Sequence, residues 1–367
     1  LSTTNIVAAD FTVLSTENDL PTAVLIGAAG RTPPTATIDD DAFGEFDPIN
    51  DGIDFFESLE GMLVTVDDPL AVSATDDNGE IFTVVDYGTN ASGLSDRNTL
   101  NISPNDFNPE KVQIDVDSSL LPGFETPVVN VGARLSDVTG VMSYSFGNFE
   151  VLPTAEFTVV AASTNEREVT VLEGDADYLT VASYNVLNLD PNDSDGNADI
   201  ANGQFAAIAA QIVNNLKTPD IIGLQEIQDN SGSADTGAIS AAVTLQLLVE
   251  AIDRVDDGAV NGSLVYEFID NTFIGDQTNG GDPAGNIRTA FLYNPDRVSV
   301  VDGSVQSIAV ADQQTNPDNP FFGGRLPLVA TFEFNHETIT IVNNHFSSKG
   351  GSAPIFGVEQ PIDQLQE

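Results

Sequence analysis

The chain has 367 residues, 41% of them hydrophobic and 21 of them Phe, which suggests roughly two or three domains with sizeable cores. Acidic residues outnumber basic ones 57 to 11, for a formal net charge of −46; this disfavours a broad basic binding surface and fits a solvated acidic exterior or divalent-cation binding on acidic loops. The absence of Cys excludes disulfides, and no apolar run is long enough to span a membrane.

Residues 1–50 are rich in Thr, Asp, Pro and Gly and read as an extended β/loop segment. From 51 to 152 the pattern predicts a small β domain. GIDFFESLEGMLVTV (52–66) has a strand-like end, GEIFTVVDYG (79–88) is β-rich between turn residues, and KVQIDV (111–116) alternates with period two. TGVMSYSFGNFEV (139–151) reads as one further alternating run. Several short strands at this spacing suggest a barrel or sandwich of OB-like type. Between residues 50 and 152 the basic residues are Arg97, Lys111 and Arg134 alone. A structural or spacer role is therefore the plainer reading, with single-stranded nucleic acid as the alternative ligand.

Residues 153–177 read as a linker, and the pattern changes after them. A strand at 179–187 precedes the acidic loop DPNDSDGNAD (190–199). The loop lacks the first and twelfth ligand residues of an EF-hand, so it reads as solvated rather than as a Ca²⁺ site. NGQFAAIAAQIVNNL (202–216) places Phe205, Ile208, Ala209, Ile212, Val213 and Leu216 at helical spacing. IIGLQE (221–226) is a buried-type strand. AAVTLQLLVEAIDRV (241–255) predicts a second helix through Leu245, Leu248, Val249 and Ile252. The remainder is mostly strand, at 288–294, 298–303, 326–334 and 338–344. Helices flanking many strands argue an α/β (α+β) fold. IDQLQE (362–367) reads as a helix start without a stop signal, and Leu1 stands where Met would initiate, so the chain reads as a fragment at both ends. A Cys-free, very acidic chain fits export into saline surroundings, that is, a secreted extracellular protein, with any signal peptide outside these residues.

Four polar residues interrupt or end these apolar runs: Asn185, Glu226, Arg325 and His345. Hydrolysing a phosphodiester requires the charge that develops on phosphoryl oxygens to be stabilised, by a divalent metal on carboxylate and amide oxygens and by Arg or His at hydrogen-bonding range. Each residue also has a plainer reading. Glu226 could be a solvated strand-end carboxylate, Asn185 a structural amide, His345 a satisfied core residue and Arg325 a surface ion-pair former. Arg288 could simply neutralise acidic neighbours.

The order of these residues resembles the endonuclease/exonuclease/phosphatase superfamily, the fold of pancreatic deoxyribonuclease. Ser183-Tyr184-Asn185 matches its opening SxN strand, Gln225-Glu226 its strand ending in QE, AFLYNPDRV (290–298) a later hydrophobic strand, Arg325 an Arg before a strand, and VNNHFSSKG (342–350) a strand running into His. DFFESLEGM (54–62), SFGNFEV (145–151), DIIGLQEIQDN (220–230) and NIRTAFLYNPDRV (286–298) look like the extracellular bacterial members, which carry an OB-fold-like domain ahead of the nuclease. The resemblance implies that residues 178–367 form about two thirds of a DNase I-like four-layer αββα sandwich. It implies Glu226 and Asn185 at a Mg²⁺ or Mn²⁺ site, with Ca²⁺ a further candidate, Arg325 and Arg288 as substrate contacts, and His345 at the scissile phosphate. It also implies a monomeric enzyme acting on DNA, with RNA, phospholipid head groups and phosphomonoesters as alternative substrates. The family's later Gly-Asp-x-Asn and Ser-Asp-His segments have no match here, so the 367-residue chain alone is expected to be inactive and to leave strand edges unpaired. A non-catalytic acidic Ca²⁺-binding surface module is the reading of another class, and it expects Asn185, Glu226, Arg325 and His345 to lie apart.

Overall fold

The computed structural model describes residues 10–256, 266–346 and 353–360, apart from positions 11, 17, 279, 309, 311 and 314. Lys349 and the helix start expected at 362–367 lie outside the described residues. Those described divide into two compact units: one comprises the residues up to Glu166 together with 353–360, the other those from Arg167 to 346.

The first unit is built from short β-branched strands. They are β1 (Val24–Ile26), β2 (Leu63–Val66), β3 (Leu70–Ala71), β4 (Ile81–Val84), β5 (Val112–Ile114), β6 (Arg134–Leu135), β7 (Val138–Ser145), β8 (Asn148–Pro153) and β9 (Val159–Ala161), with helix α1 (Gly52–Glu57) between the first two. Among the described residues they form one curled nine-stranded sheet, ordered β1-β2-β7-β8-β5-β4-β3-β6-β9. α1 buries Phe55 and Phe56. Phe56 stacks on Phe149 at 5.2 Å and meets Phe356 edge-on at 5.9 Å, so the 353–360 segment contributes to this core. The run at 139–151 is a hairpin rather than one strand. Phe146 and Gly147 take positive φ (45° and 84°), and Ser145 pairs with Asn148 across them. A two-residue turn of that hand matches the twist of the strands, and it throws the Phe146 ring into solvent. The three cations of this region are engaged locally: Lys111 lies over the Phe82 ring, Arg134 over Tyr87, and Arg97 donates to the Glu166 carbonyl at 2.5 Å.

The second unit contains β10 (Val181–Leu189), α2 (Gln204–Asn214), β11 (Ile221–Ile227), α3 (Ala242–Asp256), β12 (Glu267–Asp270), β13 (Arg288–Tyr293), β14 (Ser299–Val300), β15 (Gln306–Ser307), β16 (Leu328–Phe334) and β17 (Glu337–Asn343). One sheet runs β10-β11-β13-β12; in the other, β16 is flanked by β14, β15 and β17. The stripes expected on the helices are the buried ones. Phe205, Ile208 and Ile212 of α2 and Leu245, Leu248 and Ile252 of α3 pack on Ile222, Leu224 and Leu292 of the first sheet. Its opposite face sets Ile221 and Phe291 against Leu328, Ala330 and Phe332 of the second sheet. β11 is thus covered on both sides, which is why its sequence is a continuous apolar run rather than an alternating one. Each such side chain contributes roughly 1.5–3 kcal/mol of burial. Of the four layers expected, the described residues form three: helices, sheet, sheet. The side chain of Asn230 caps α3 by accepting the Val243 N–H at 2.8 Å.

Candidate functional site

β10 and β11 run parallel with Asn185 opposite Gln225, so Glu226 emerges beside Asn185 at the carboxyl ends of the two strands. The pairing of both strands is interrupted here. β10 is irregular between Asn185 and Leu189, and β11 between Leu224 and Ile227. Leu187, Asn188 and Glu226 all adopt positive φ, at 57°, 52° and 64°. Non-glycine residues in this region cost of order 1–3 kcal/mol each and concentrate where a bulge re-aims a side chain. The result is a fixed carboxylate. Asn185 Nδ2 donates to Glu226 Oε1 at 2.7 Å, the Asn188 N–H donates to Oε2 at 3.2 Å, and Asn185 Oδ1 accepts the Leu187 N–H at 2.9 Å.

His345 arrives from the second sheet, two residues beyond the end of β17. Asn343, only 5% exposed, holds that end against the first sheet. Its Oδ1 accepts Gln225 Nε2 at 2.7 Å, and its Nδ2 donates to the carbonyls of Leu224 and Ala290 at 2.9 Å each. Ser183 Oγ donates to Gln225 Oε1 at 3.3 Å, completing the chain of amides. The clamp leaves His345 Nε2 3.4 Å from Glu226 Oε1. Burial, and next the positive charge of Arg325, lower the imidazole pKa below its ordinary value, while Glu226 works against that shift. The shift favours the neutral ring. Its Nε2 faces the carboxylate, and its Nδ1 is buried without a partner.

Arg325 Nη1 donates to the Phe346 carbonyl at 3.1 Å, and its Nε is buried without a partner. Its guanidinium lies against Gly281, where φ is 102° and a β-carbon would collide with Nη2. Among the described residues no carboxylate pairs with it. Asn185, Glu226 and His345 are thus joined by direct contacts, and Arg325 is near enough to act on the charge of His345. Arg288 stands elsewhere. It is 1% exposed, pairs with Asp270 at 3.2 Å and donates from Nε to the Asn286 carbonyl at 3.0 Å, and no hydrogen bond or ion pair links it to that group. Of the two expected substrate contacts, Arg325 alone stands by the Glu226–His345 pair.

The loop at 190–199, expected to be solvated, is so in its middle, where Asp193, Ser194 and Gly196 are exposed, and is anchored inward at its two ends. Asp190 and Asp199 are buried, and the Asp190 N–H donates to Asp199 Oδ2 at 3.0 Å. Burial raises the Asp190 carboxyl to about 6. The Ser233 N–H donates to Asp195 Oδ2 at 2.6 Å, tying the loop to the segment after β11. Sequence reasoning also missed the backbone donor of Asn188 and the tie between Gln225 and Asn343. The adjacent QE and NN pairs were the available signals.

The donor set suits a small hard cation. Glu226 Oε2 and Asn185 Oδ1 each accept one hydrogen bond, from the Asn188 and Leu187 N–H groups, and so each keeps a lone pair. One carboxylate with a neighbouring oxygen, completed by water, is a common arrangement for Mg²⁺ or Mn²⁺.

Residues 25–165 match a family described as a domain of unknown function (DUF8508). No curated protein matches the chain. Among solved structures it is distantly similar to humanized TDP2 of D. rerio, at 17% identity over 47% of this chain and 52% of that one, with a TM-score of 0.25. It is similar as well to an endonuclease/exonuclease/phosphatase family protein of Bacteroides thetaiotaomicron, at 20% identity over 45% of this chain and 46% of that one, with a TM-score of 0.26. A protein of the same family from Leptotrichia buccalis aligns at 11% identity over 47% of this chain and 56% of that one, with a TM-score of 0.27. The chain spans about half the length of each of these structures.

Proposed function

We propose that the second unit carries the phosphate-handling part of a metal-dependent phosphodiesterase site that acts on nucleic acid, DNA foremost. The observation that supports this reading is a convergence. The Glu226 carboxylate contacts both the Asn185 amide and the His345 imidazole, beside a guanidinium that no carboxylate pairs with among the described residues, in a chain with 57 acidic residues. A non-catalytic acidic module gives no reason for these residues to meet.

Asn185 and the Asn188 N–H orient Glu226, which with Asn185 would hold Mg²⁺ or Mn²⁺; the ion, when bound, supplies positive charge to the phosphoryl oxygens. The guanidinium of Arg325, which no carboxylate pairs with among the described residues, donates to a non-bridging oxygen as a charge-assisted bond. His345, which turns Nε2 toward Glu226, can take a proton from the attacking water, and burial together with Arg325 favours its unprotonated form. Phe346, 79% exposed and next in sequence to His345, offers a face on which a base can stack. Repulsion between an acidic protein and DNA is relieved at high ionic strength, which fits an extracellular, saline setting.

The test is plasmid cleavage by the full-length protein with Mg²⁺, Mn²⁺ or EDTA over a salt series, beside Glu226→Ala and His345→Ala. Cleavage that needs metal and falls by about 10²–10⁴-fold in each variant is expected. No cleavage by folded wild type, with release of head groups from phospholipid vesicles, would transfer the same chemistry to a lipid substrate. Full activity in both variants would refute the site.

A further inference from the structure

The first unit holds a group of carboxylates that the proposed chemistry does not use. Asp39, Asp41 and Asp51 each present an oxygen, and the three oxygens lie within 4.8 Å of one another. Two of these residues are already supplied with donors. Asp39 accepts the N–H groups of Ala42 at 2.8 Å and Phe43 at 3.2 Å, and Asp41 accepts those of Gly44 and Glu45 at 2.6 Å each. Asp51 is different. It is 3% exposed, it is aimed at the other two, and its carboxylate accepts no hydrogen bond among the described residues, not even from the helix it precedes.

A carboxylate removed from water without a donor or a counter-charge is costly. Here the surroundings worsen the cost. Burial first, and then the like charges of Asp40, Asp39, Asp54 and Asp47, raise the Asp51 carboxyl to about 6. Among the described residues no Arg, Lys or His forms an ion pair with any of the three. Every unusual feature of Asp51 is one that a bound cation would relieve. The other acidic trio, Asp67, Asp68 and Asp137, has no member so deeply buried.

We infer that Asp39, Asp41 and Asp51 form a Ca²⁺ site in the first unit. Ca²⁺ takes oxygens at about 2.3–2.6 Å, so ligands on opposite sides of one ion stand about 5 Å apart, which accommodates the observed spread. Mg²⁺, at about 2.0–2.1 Å and strictly octahedral, needs a tighter cage and releases its waters reluctantly. Exposed Asp41 leaves an approach from solvent, and water completes the coordination. The ion ties the loop around Asp39 and Asp41 to the start of α1, whose Phe55 and Phe56 are core residues. The inference is independent of the phosphodiesterase reading, since no residue is shared.

Calorimetric titration of Ca²⁺ into the chelator-stripped 367-residue chain tests it, with thermal unfolding as a second readout. Wild type should bind with Kd of about 10⁻⁵–10⁻³ M and gain roughly 3–8 °C in Tm at saturating Ca²⁺. Asp51→Asn and Asp41→Asn should each weaken binding at least ~10-fold and lose the thermal gain; Asp41 is exposed, so its variant remains informative if Asp51→Asn does not fold. Asp137→Asn, in the other acidic trio, should bind as wild type does. Retention of affinity and of the thermal gain in Asp41→Asn, or an equal response to Mg²⁺, would overturn the assignment.

Discussion

Asn343→Leu removes the clamp between the two sheets of the second unit while keeping the side-chain volume, so its effect reads hydrogen bonding rather than a cavity. The wild-type amide makes three bonds within 2.7–2.9 Å, to Gln225 and to the carbonyls of Leu224 and Ala290. At about 1 kcal/mol net for each, the loss is about 3 kcal/mol, and stranding one Gln225 N–H adds about 1. Gln225 keeps its second bond, to the Gly223 carbonyl at 3.0 Å, which limits that addition. Native-state hydrogen exchange on peptides spanning 221–227 and 288–293 localises the effect to this unit. Their opening free energy should fall by about 3–4 kcal/mol while peptides of the first unit stay unchanged. A drop below about 1 kcal/mol would refute the clamp and, with it, the reason given for where His345 sits.

Three further outcomes follow from the same geometry. By proton NMR the His345 imidazole should titrate below its ordinary 6.5; Arg325→Met should raise that value and Glu226→Gln should lower it further. Because the folded state disfavours the protonated ring, this group lowers stability as pH falls from the unfolded value through the folded one and is silent above both. Glu110 works in the opposite sense. Burial raises it from 4.5 to about 7, so its contribution is complete below about pH 4.5 and is lost as pH rises through about 7, at most about 3 kcal/mol; Glu110→Gln should flatten urea stability between pH 5 and 8 in the presence of chelator. Arg288→Met leaves Asp270 without its partner, and it should cost about 3–5 kcal/mol in urea unfolding; a cost near zero would point back to a substrate-contact role.

Much of the second unit was legible because burial writes itself into sequence period. The stripes of α2 and α3 and the continuous run of β11 record which faces meet other layers. Asn185, Glu226 and His345 could be picked out because each interrupts or ends such a run. What no period encodes is long-range or local-conformational. Phe356 reaches the core of the first unit across the whole second one, and Phe146-Gly147 hides a reversal inside an alternating pattern. The burial of Arg288 depends on Asp270, eighteen positions away, and the bulge at Glu226 leaves no mark in residue type. The anchoring of 190–199 at its buried ends and through Asp195 to the loop after β11 likewise leaves no mark in composition.

In the proposed site, Glu226 and His345 share one metal-binding, phosphate-handling centre. Mn²⁺ titrated into the chain during NMR observation of its two imidazoles tests this most directly, because a paramagnetic ion broadens only what lies near it. His336→Gln assigns the resonances. His345 should broaden at Mn²⁺ concentrations that leave His336 sharp, and Glu226→Gln should abolish the difference. Equal broadening of both rings, or selective broadening that survives Glu226→Gln, would contradict it.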